Sequence, residues 1–327
     1  MNSLIWILAD DRPGNYSQAI GLAAALNRPY EIKKINYNSW SKLPNFLKLK
    51  GLCGVDEESK SALLNQFNSP KIIISAGRKT AAIALYLKKH YGEVFLIHIM
   101  NPGMALKKFD LVILPKHDGI EKKDNIITSL GALTRIDDNL LKDEYKKFSN
   151  LIDKINSPKV GLLIGGSSKH AKFDSAIRKK LIVMVNDFIS KTNANLLIST
   201  SRRTDLDFVL ELKDNFENDR NLFFQWQPGK PNPYFAILQA ADCFIVTGDS
   251  ISMCSEVCSL GKPVYIFNPP EICSKKHLKL HDNLFSGGYA KQLNDNLDKI
   301  FFSQENRLNE TNRIGMKINK ILELKNL

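Results

Sequence analysis

Residues 232–268 read NPYFAILQAADCFIVTGDSISMCSEVCSLGKPVYIFN. The apolar run from Cys243 to Val246 has the length of a buried strand, and it stops at the polar turn Thr247–Gly248–Asp249–Ser250. The flanking residues predict a helix before this strand, and a second helix and strand after the turn. Such a unit leaves the N–H groups and the positive dipole end of the second helix beside the turn, where they favour an anion.

A carboxylate lies on the same predicted helix. Glu256 follows Ser252 by four residues, so the two side chains share one helix face. A carboxylate in this place could accept hydrogen bonds from the diol of a sugar, and an anion site beside it suits a nucleotide. We therefore predict Asp249, Ser250, Ser252, Met253 and Glu256 as ligand-binding residues.

The chain has 327 residues, which is enough for two domains that each bury a core. Short apolar runs alternate with helical patterns along almost its whole length, as in doubly wound parallel sheets. Strands are predicted at 4–9, 31–36, 72–75, 94–99, 111–114, 125–128, 160–164, 195–199, 222–224, 243–246 and 264–267. Helices are predicted at 17–27, 79–91, 139–155 and 174–191. The sequence thus predicts an α/β protein with two Rossmann-like domains, 1–156 and 157–304, divided at the polar segment around Pro158.

Charge and cysteine content bound the partners and the compartment. The net charge of +12, from 46 basic and 34 acidic residues, favours nucleotides, an anionic membrane surface or nucleic acid without choosing among them. The lysines are scattered and no arginine-rich or aromatic-basic motif occurs, which argues against nucleic acid. Five cysteines without a CxxC pair indicate reduced thiols. The first apolar run ends at Ala9 and no run has the length of a membrane span, so we expect a soluble cytoplasmic protein, peripheral at most to the inner membrane.

In the first half, polar residues follow several predicted strands. Adjacent Asp10 and Asp11 stand at the mouth of a helix, where they supply either a general base or an ordinary turn and cap, and Asp11 is the first candidate base. Gly77 and Arg78 begin another helix, which suits an anion or simple close packing. His117, after a proline, is either a loop cap or an acceptor contact.

In the second half, two further loops follow predicted strands. The sequence Gly165–Gly166–Ser167–Ser168 lets the backbone approach a ligand closely, although glycine pairs are common after strands. Ser201, Arg202 and Arg203 offer a clamp for a diphosphate, with a solvated loop as the alternative. These loops and the segment from Asp249 to Glu256 belong to one predicted sheet, so the sequence predicts that they converge.

Other kinds of site are less well supported. His277 and His281 lack a third ligand nearby, so no metal site is predicted. Cys254 and Cys258 share a helix face and are expected to be buried thiols. No G-x-S-x-G, Walker or G-x-G-x-x-G pattern follows the first strand, which argues against a hydrolase, an ATPase or a nicotinamide enzyme. No cofactor is expected beyond a nucleotide-sugar substrate.

The segment from Gly248 to Glu256, followed by Gly261–Lys262–Pro263–Val264, resembles the nucleotide-sugar site of GT-B glycosyltransferases. More of the chain is similar to the bacterial family named after a mitochondrial fission factor. The matching motifs are Asp11–Arg12–Pro13–Gly14–Asn15 with Gln18, Ser75–Ala76–Gly77–Arg78, Asn101–Pro102, Pro115 with His117–Asp118, Gly131–Ala132–Leu133, Gly165–Gly166, Ser199 with Arg202–Arg203, and Asp249–Ser250 with Glu256. One departure is Met100–Asn101–Pro102–Gly103, which lacks the expected glutamine before the asparagine and arginine after the proline.

The resemblance implies two GT-B-like domains that face a cleft, a donor bound by the second domain, and commonly no metal. It also implies a last helix, at about 305–324, that returns to the first domain. Transferred residue by residue, Glu256 would bind ribose, Ser250 and Ser252 the diphosphate, and Arg202 the leaving group, with Asp11 as the base. Nearer the donor it places Gly165, Gly166, Ser167, Ser201, Arg203, Asp249 and Met253, and on the acceptor side Asp10, Asn15, Gln18, Gly77, Arg78, Asn101 and His117.

The leading hypothesis is a glycosyltransferase-like enzyme that moves a sugar from a nucleotide sugar to a lipid-linked or cell-envelope acceptor. Two other hypotheses stay open at this point. The fold can serve as a non-catalytic interaction or membrane-associated protein, or it can epimerise a nucleotide sugar without an acceptor. The sequence does not identify the base, the sugar, the acceptor or the oligomeric state.

Overall fold

The computed structural model describes residues 5–39, 52–65, 69–103, 105–120, 123–168, 172–294 and 306–327. The chain divides into two compact units. The first unit is formed by Met1–Arg135 together with Asn309–Leu327, and the second by Ile136–Leu308. Each unit contains its own parallel sheet with flanking helices.

The first unit has strands at β1 (Ile5–Ala9), β2 (Tyr30–Lys34), β3 (Ile72–Ala76), β4 (Phe95–Ile99), β5 (Leu111–Pro115) and β6 (Ile126–Ser129). Its helices are α1 (Pro13–Ala25), α2 (Glu57–Leu64) and α3 (Gly77–Tyr91). The strand order is β2-β1-β3-β4-β5-β6, and every pair is parallel. The central strands β1 and β3 are apolar except for Ser75 and are buried along their whole length. Strand β2 lies at an edge and is mostly polar and partly exposed, as suits a strand with one neighbour.

The second unit begins with α4 (Asp138–Ile152) and continues with β7 (Lys159–Ile164), α5 (Ser175–Thr192), β8 (Asn195–Thr200), α6 (Leu206–Phe216), β9 (Leu222–Phe224), α7 (Tyr234–Ala240), β10 (Cys243–Thr247), α8 (Ile251–Cys258), β11 (Val264–Phe267), α9 (Lys275–Ser286) and β12 (Lys291–Gln292). Its strand order is β12-β11-β10-β7-β8-β9, again with every pair parallel. The carboxyl ends of its strands therefore meet at one edge of the sheet.

The last helix, α10 (Glu310–Leu324), completes the core of the first unit. Its residues Ile314, Ile318 and Leu322 are fully buried in the same cluster as the apolar side chains of β1 and α1. Gly315 allows the close approach of α10 to α1, because a Cβ atom there would lie 2.8 Å from the Cβ atom of Ala25. The first unit is thus built from two segments that are far apart in the sequence.

The predicted fold class of two Rossmann-like, doubly wound domains is confirmed, and most predicted strands agree with the observed ones to within one or two residues. The boundary between the units differs from the expected position near residue 156. Helix α4 groups with the second unit, where it packs against α7, so the boundary follows Arg135. A polar segment with a proline marks the end of this helix but does not show which core its apolar face covers. The predicted start of the last helix at 305 lies outside the described residues.

Among the described residues, no helix combines the length and the apolar character that crossing a membrane requires.

Candidate functional site

Three loops meet at the carboxyl edge of the second sheet, because β7 lies between β8 and β10. The backbone N–H of Gly166, after β7, donates to Asp249 Oδ2, after β10, across 3.0 Å. Arg203, after β8, donates from Nη2 to the same oxygen across 2.7 Å. Its Nη1 donates to the carbonyl oxygen of Gly166 across 2.9 Å. One carboxylate thus holds the three loops together.

The second oxygen of Asp249 is also engaged. Thr247 donates from Oγ1 to Asp249 Oδ1 across 2.7 Å, and the same hydroxyl accepts from the N–H of Gly165 across 2.7 Å. Burial raises the pKa of Asp249, whereas Arg203 and the hydrogen bonds to the carboxylate act in the opposite direction. Asp249 therefore stabilises the edge of the sheet from the inside, and its contacts are with protein groups.

The glycine pair after β7 is required by close packing. A Cβ atom on Gly165 would lie 2.2 Å from Asp249 Oδ1, and one on Gly166 would lie 2.0 Å from the carbonyl oxygen of Arg203. Both distances are far below contact, so a side chain at either position would separate the loops. Close packing of the loops therefore accounts for this pair of glycines.

In the predicted diphosphate clamp after β8, some residues bond to the neighbouring loops and one is exposed to solvent. Ser201 donates from Oγ to the carbonyl oxygen of Gly165 across 2.7 Å, and Arg203 is bound to Asp249, so both hold the loops. Ser167 donates to Asp205 Oδ2 across 2.6 Å. Arg202, in contrast, is exposed at the same edge. Among Ser201, Arg202 and Arg203, it is the residue that is exposed.

Helix α8 begins where the sequence predicted it. Ser250 is its N-cap, and the Ser250 hydroxyl accepts from the N–H of Met253 across 3.4 Å. Ser252 and Met253 in the first turn are partly buried. Glu256 lies six residues beyond the cap, or about 9 Å along the axis, and is 8% exposed. The helix therefore carries its N-terminus and the Glu256 carboxylate on one element, about 9 Å apart.

Tyr234 was not predicted from the sequence, yet it contacts the central residue of the candidate site. It is the first residue of α7, and its hydroxyl donates to Glu256 Oε2 across 2.5 Å. Burial raises the pKa of Tyr234 well above its ordinary value, and the neighbouring Glu256 raises it further. No local pattern links the two positions, because the contact depends on how α7 and α8 pack.

The histidine pair of α9 lies near this edge of the sheet. His277 belongs to a capping box with Ser274. Burial lowers the pKa of His277, while the nearby Asp249 acts to raise it. His281 is fully buried, and its Nε2 lies 3.9 Å from the sulfur of Cys254. Cys254 and Cys258 are fully buried. In the part of the chain that the structure describes, no group of three or more His, Cys, Asp or Glu side chains could hold a metal ion.

In the first unit, the two carboxylates after β1 differ in their surroundings. Asp10 accepts from the N–H of Arg12 across 3.1 Å and from Asn15 Nδ2 across 3.0 Å, and burial raises its pKa. Asp11 is bound through both oxygens by Lys79 Nζ, at 3.0 and 2.9 Å. The side chain of Asp11 is 57% exposed. Asp10 thus has the environment of a tuned acid or base, whereas Asp11 has that of a surface ion pair.

A cavity of about 610 Å³ lies beside Asp10. It is lined by Ala9, Asp10, Asp11, Tyr16, Lys34, Ile35, Asn36 and Tyr37. The hydroxyl of Tyr37 is buried, and none of the described residues hydrogen-bonds to it. Lys79 Nζ lies 4.4 Å from the centre of the Tyr37 ring. The cavity therefore combines aromatic walls with carboxylate oxygens, which are groups that bind the rings and hydroxyls of polar molecules.

The other predicted acceptor-side residues follow β1, β3, β4 and β5. Gly77 has φ +78° and touches Asn15, since a Cβ atom there would lie 2.4 Å from Asn15 Nδ2. The side chain of Arg78 lies beside Gly103, after β4. Gln18 Nε2 lies 3.6 Å from Met100 Sδ, and Asn101 Oδ1 accepts from the N–H of Gly103 across 2.8 Å. His117 is buried in the turn after β5. These residues share one edge of the sheet. The contact between Gln18, which follows β1, and Met100, which follows β4, passes the end of β3.

The chain is similar to a protein family and to two curated proteins. The family model described as mitochondrial fission ELM1 matches residues 13–322. A Rickettsia prowazekii (strain Madrid E) protein without an assigned function is 32% identical, with 97% of this chain and 99% of the relative covered. The mitochondrial fission protein ELM1 of Arabidopsis thaliana is 27% identical, with 66% of this chain and 57% of that protein covered.

Three solved structures resemble the fold over almost the whole chain. MnaA of S. aureus, in a co-structure with UDP, has a TM-score of 0.56 at 14% identity and covers 100% and 98% of the two chains. The UDP-GlcNAc 2-epimerase of Methanocaldococcus jannaschii has a TM-score of 0.54 at 15% identity, and the match covers 97% of this chain and 99% of that chain. MurG of Acinetobacter baumannii has 0.53 at 12% identity, also covering 97% and 99%. These likenesses show the GT-B-like fold that the sequence predicted. By the family match and the Rickettsia relative, the chain belongs to the mitochondrial fission ELM1 family.

Proposed function

We propose that this protein binds a nucleoside diphosphate sugar on its second unit and transfers the sugar to a hydroxyl group of an acceptor. The observation that carries the proposal is the meeting of three loops around Asp249, with Glu256 on the helix that follows. Ligands of open parallel sheets bind at the carboxyl ends of the strands, which is where these residues lie. The fold likeness to MnaA, whose structure contains UDP, supports the choice of ligand.

The proposed roles follow from charge and position. Glu256 accepts hydrogen bonds from ribose hydroxyls, and the N-terminus of α8 with Ser250 and Ser252 binds the diphosphate. Arg202 stabilises the charge that develops on the leaving diphosphate, because its guanidinium is exposed at the same edge. Arg203 and Asp249 keep the loops in place and do not need to touch the donor.

Asp10 is the proposed general base. It is less exposed than Asp11 and has a raised pKa, whereas Asp11 is paired with Lys79. In the reaction the acceptor oxygen forms a bond to the anomeric carbon while the bond from that carbon to the diphosphate oxygen breaks. The electron pair of the broken bond leaves on the diphosphate, and the acceptor proton passes to Asp10. The cavity beside Asp10 is the proposed acceptor site.

Isothermal titration calorimetry with UDP, GDP, ADP and CDP tests the donor site. We expect one of these nucleotides to bind the intact protein and Glu256→Ala to weaken that binding at least tenfold, by about 1.4 kcal/mol or more. Glu217→Ala is the matched control, because Glu217 is an exposed glutamate of the same unit. If no nucleotide binds, or if both variants behave alike, the proposal is wrong.

Product analysis separates transfer from the second candidate reaction. The fold likeness to the UDP-GlcNAc 2-epimerase, with a TM-score of 0.54, favours an epimerase as that candidate. Incubation with UDP-GlcNAc alone would yield an epimer if the enzyme is an epimerase. A transferase requires an acceptor for a glycosylated product, so a glycoside formed from UDP-GlcNAc only when an acceptor is added supports our proposal. Nucleotide binding without either product points to a protein that binds and does not turn over.

A further inference from the structure

The hydrogen bond between Tyr234 and Glu256 joins the helix that precedes β10 in the sequence to the helix that follows it. Tyr234 opens α7, which precedes the strand, and Glu256 lies on α8, which follows it. The hydroxyl-to-carboxylate distance is 2.5 Å. Short O–H···O⁻ contacts of this kind are among the stronger hydrogen bonds in proteins. The pair therefore fixes Glu256 in one orientation before any ligand arrives.

A fixed carboxylate recognises hydroxyl groups better than a mobile one. A carboxylate has about four lone-pair directions, and the Tyr234 hydroxyl uses one of them on Oε2. Glu256 is only 8% exposed and has little room to turn, so this contact and the surrounding packing hold both carboxylate oxygens in a defined geometry. A long acidic side chain that is already ordered loses less conformational entropy when a ligand binds.

We propose that Tyr234 is a positioning residue that makes Glu256 selective for a vicinal ribose diol over a 2′-deoxyribose. This inference rests on the proposed nucleotide site. The physical reason is that a buried carboxylate aimed at two hydroxyls is left incompletely paired when one hydroxyl is missing, and unpaired buried charge is costly. Without Tyr234, Glu256 can reorient toward whichever hydroxyl is present. The site then binds ribonucleotides less tightly and distinguishes the two sugars less well.

The test compares each nucleoside diphosphate with its 2′-deoxy counterpart by calorimetry. The probes are UDP, GDP, ADP and CDP with the matching 2′-deoxy compounds, applied to the full-length protein. For the nucleotide that binds best, we expect the wild type to prefer the ribose form by about tenfold, and Tyr234→Phe to reduce this preference to about twofold. The affinity for the deoxy form should stay within about twofold of wild type. Phenylalanine retains the ring, so a loss of packing alone would weaken both forms equally.

Tyr145→Phe is the matched control. Tyr145 also donates its hydroxyl to a carboxylate, that of Asp153 at the C-terminal end of the same helix, α4, in the second unit. We expect this variant to keep the wild-type preference for ribose. If no nucleotide binds the wild type, the proposed function fails together with this inference. If nucleotides bind but Tyr234→Phe keeps the wild-type preference, binds the ribose form more tightly, or weakens both forms equally, this inference alone is wrong.

Discussion

Arg203 Nη2 lies 2.7 Å from Asp249 Oδ2, and this ion pair joins the loop after β8 to the loop after β10. The side chain of Asp249 is 1% exposed and that of Arg203 is 34% exposed. Removing either member of a buried pair leaves the other charge without compensation, which costs far more than losing a surface pair. The two loops of the candidate donor site therefore depend on an internal contact rather than on a bound ligand for their position.

Asp249→Ala is expected to lower the free energy of unfolding by about 3–5 kcal/mol, because it leaves Arg203, the N–H of Gly166 and the hydroxyl of Thr247 without their carboxylate. Denaturation in urea measures the change. Asp187→Ala is the control, since it breaks the exposed pair of Asp187 and Lys191 on α5 and should cost less than about 1 kcal/mol. Similar losses in the two variants would show that Asp249 does not hold the loops.

Ile318→Ala is expected to destabilise the first unit by about 2–5 kcal/mol, because it opens a cavity in a core to which α10 contributes. Met316→Ala lies on the same helix, but Met316 is 61% exposed, so it should change the free energy of unfolding by less than about 0.5 kcal/mol. The measurement is chemical denaturation followed by circular dichroism. Equal effects at the two positions would mean that α10 does not pack on this core in solution.

His98 is expected to make the protein sensitive to acid. It is fully buried, its Nδ1 lies 2.8 Å from the Ser75 hydroxyl, and burial lowers its pKa from 6.5 to about 3. The unfolded chain takes up a proton below about pH 6.5 that the folded protein excludes, so the stability that is present above this pH is lost by about 1.4 kcal/mol per pH unit as the pH falls toward the folded value.

His98→Gln removes this proton uptake and keeps a partner for Ser75. Urea denaturation at pH 7.5 and 4.5 should therefore show about 3 kcal/mol less acid destabilisation in the variant than in the wild type. His90→Gln, at an exposed position of α3, should retain the wild-type dependence on pH. A wild-type dependence in His98→Gln would contradict the assignment.

Asp10 and Asp11 are expected to differ in the proposed reaction. A general base acts when it is ionised, so activity should be present above the pKa of Asp10 and lost as the pH falls through it. Because burial raises this pKa above 3.8, the loss should begin at a higher pH than for an ordinary aspartate. Asp10→Asn should lower the turnover number by about 10²–10⁴-fold, whereas Asp11→Asn should retain most of it. The turnover number of the wild type and of each variant is measured as a function of pH. A large loss in Asp11→Asn with little change in Asp10→Asn would assign the role of base to Asp11.

Much of the fold was predictable because its strands are short apolar runs. The apolar residues of β1 and β10 predict buried strands by themselves. The polar turn that ends at Ser250 indicated the start of α8. The boundary between the units was not predictable in the same way. Helix α4 is amphipathic whichever sheet it covers, and only its packing against α7 assigns it to the second unit.

The candidate site was predictable as a set of loops but not as a set of contacts. Parallel strands bring their carboxyl ends together, so the convergence after β7, β8 and β10 followed from the order of elements. Which arginine would bind Asp249 did not, because Arg202 and Arg203 are adjacent and differ only in direction. The contact of Tyr234 with Glu256 could not be predicted from the sequence, because it arises from the way α7 and α8 pack together.

The return of α10 to α1 also bears on how the molecule forms during synthesis. The segment Ile136–Leu308 is continuous and contains all of its own core, so it can fold as soon as it leaves the ribosome. The sheet that precedes it emerges first, but Ile314, Ile318 and Leu322 reach it only after that whole segment has been translated. The apolar face of the first unit that α10 covers therefore stays exposed until α10 has been translated, so the part of the protein that is synthesised first is the last to complete its core.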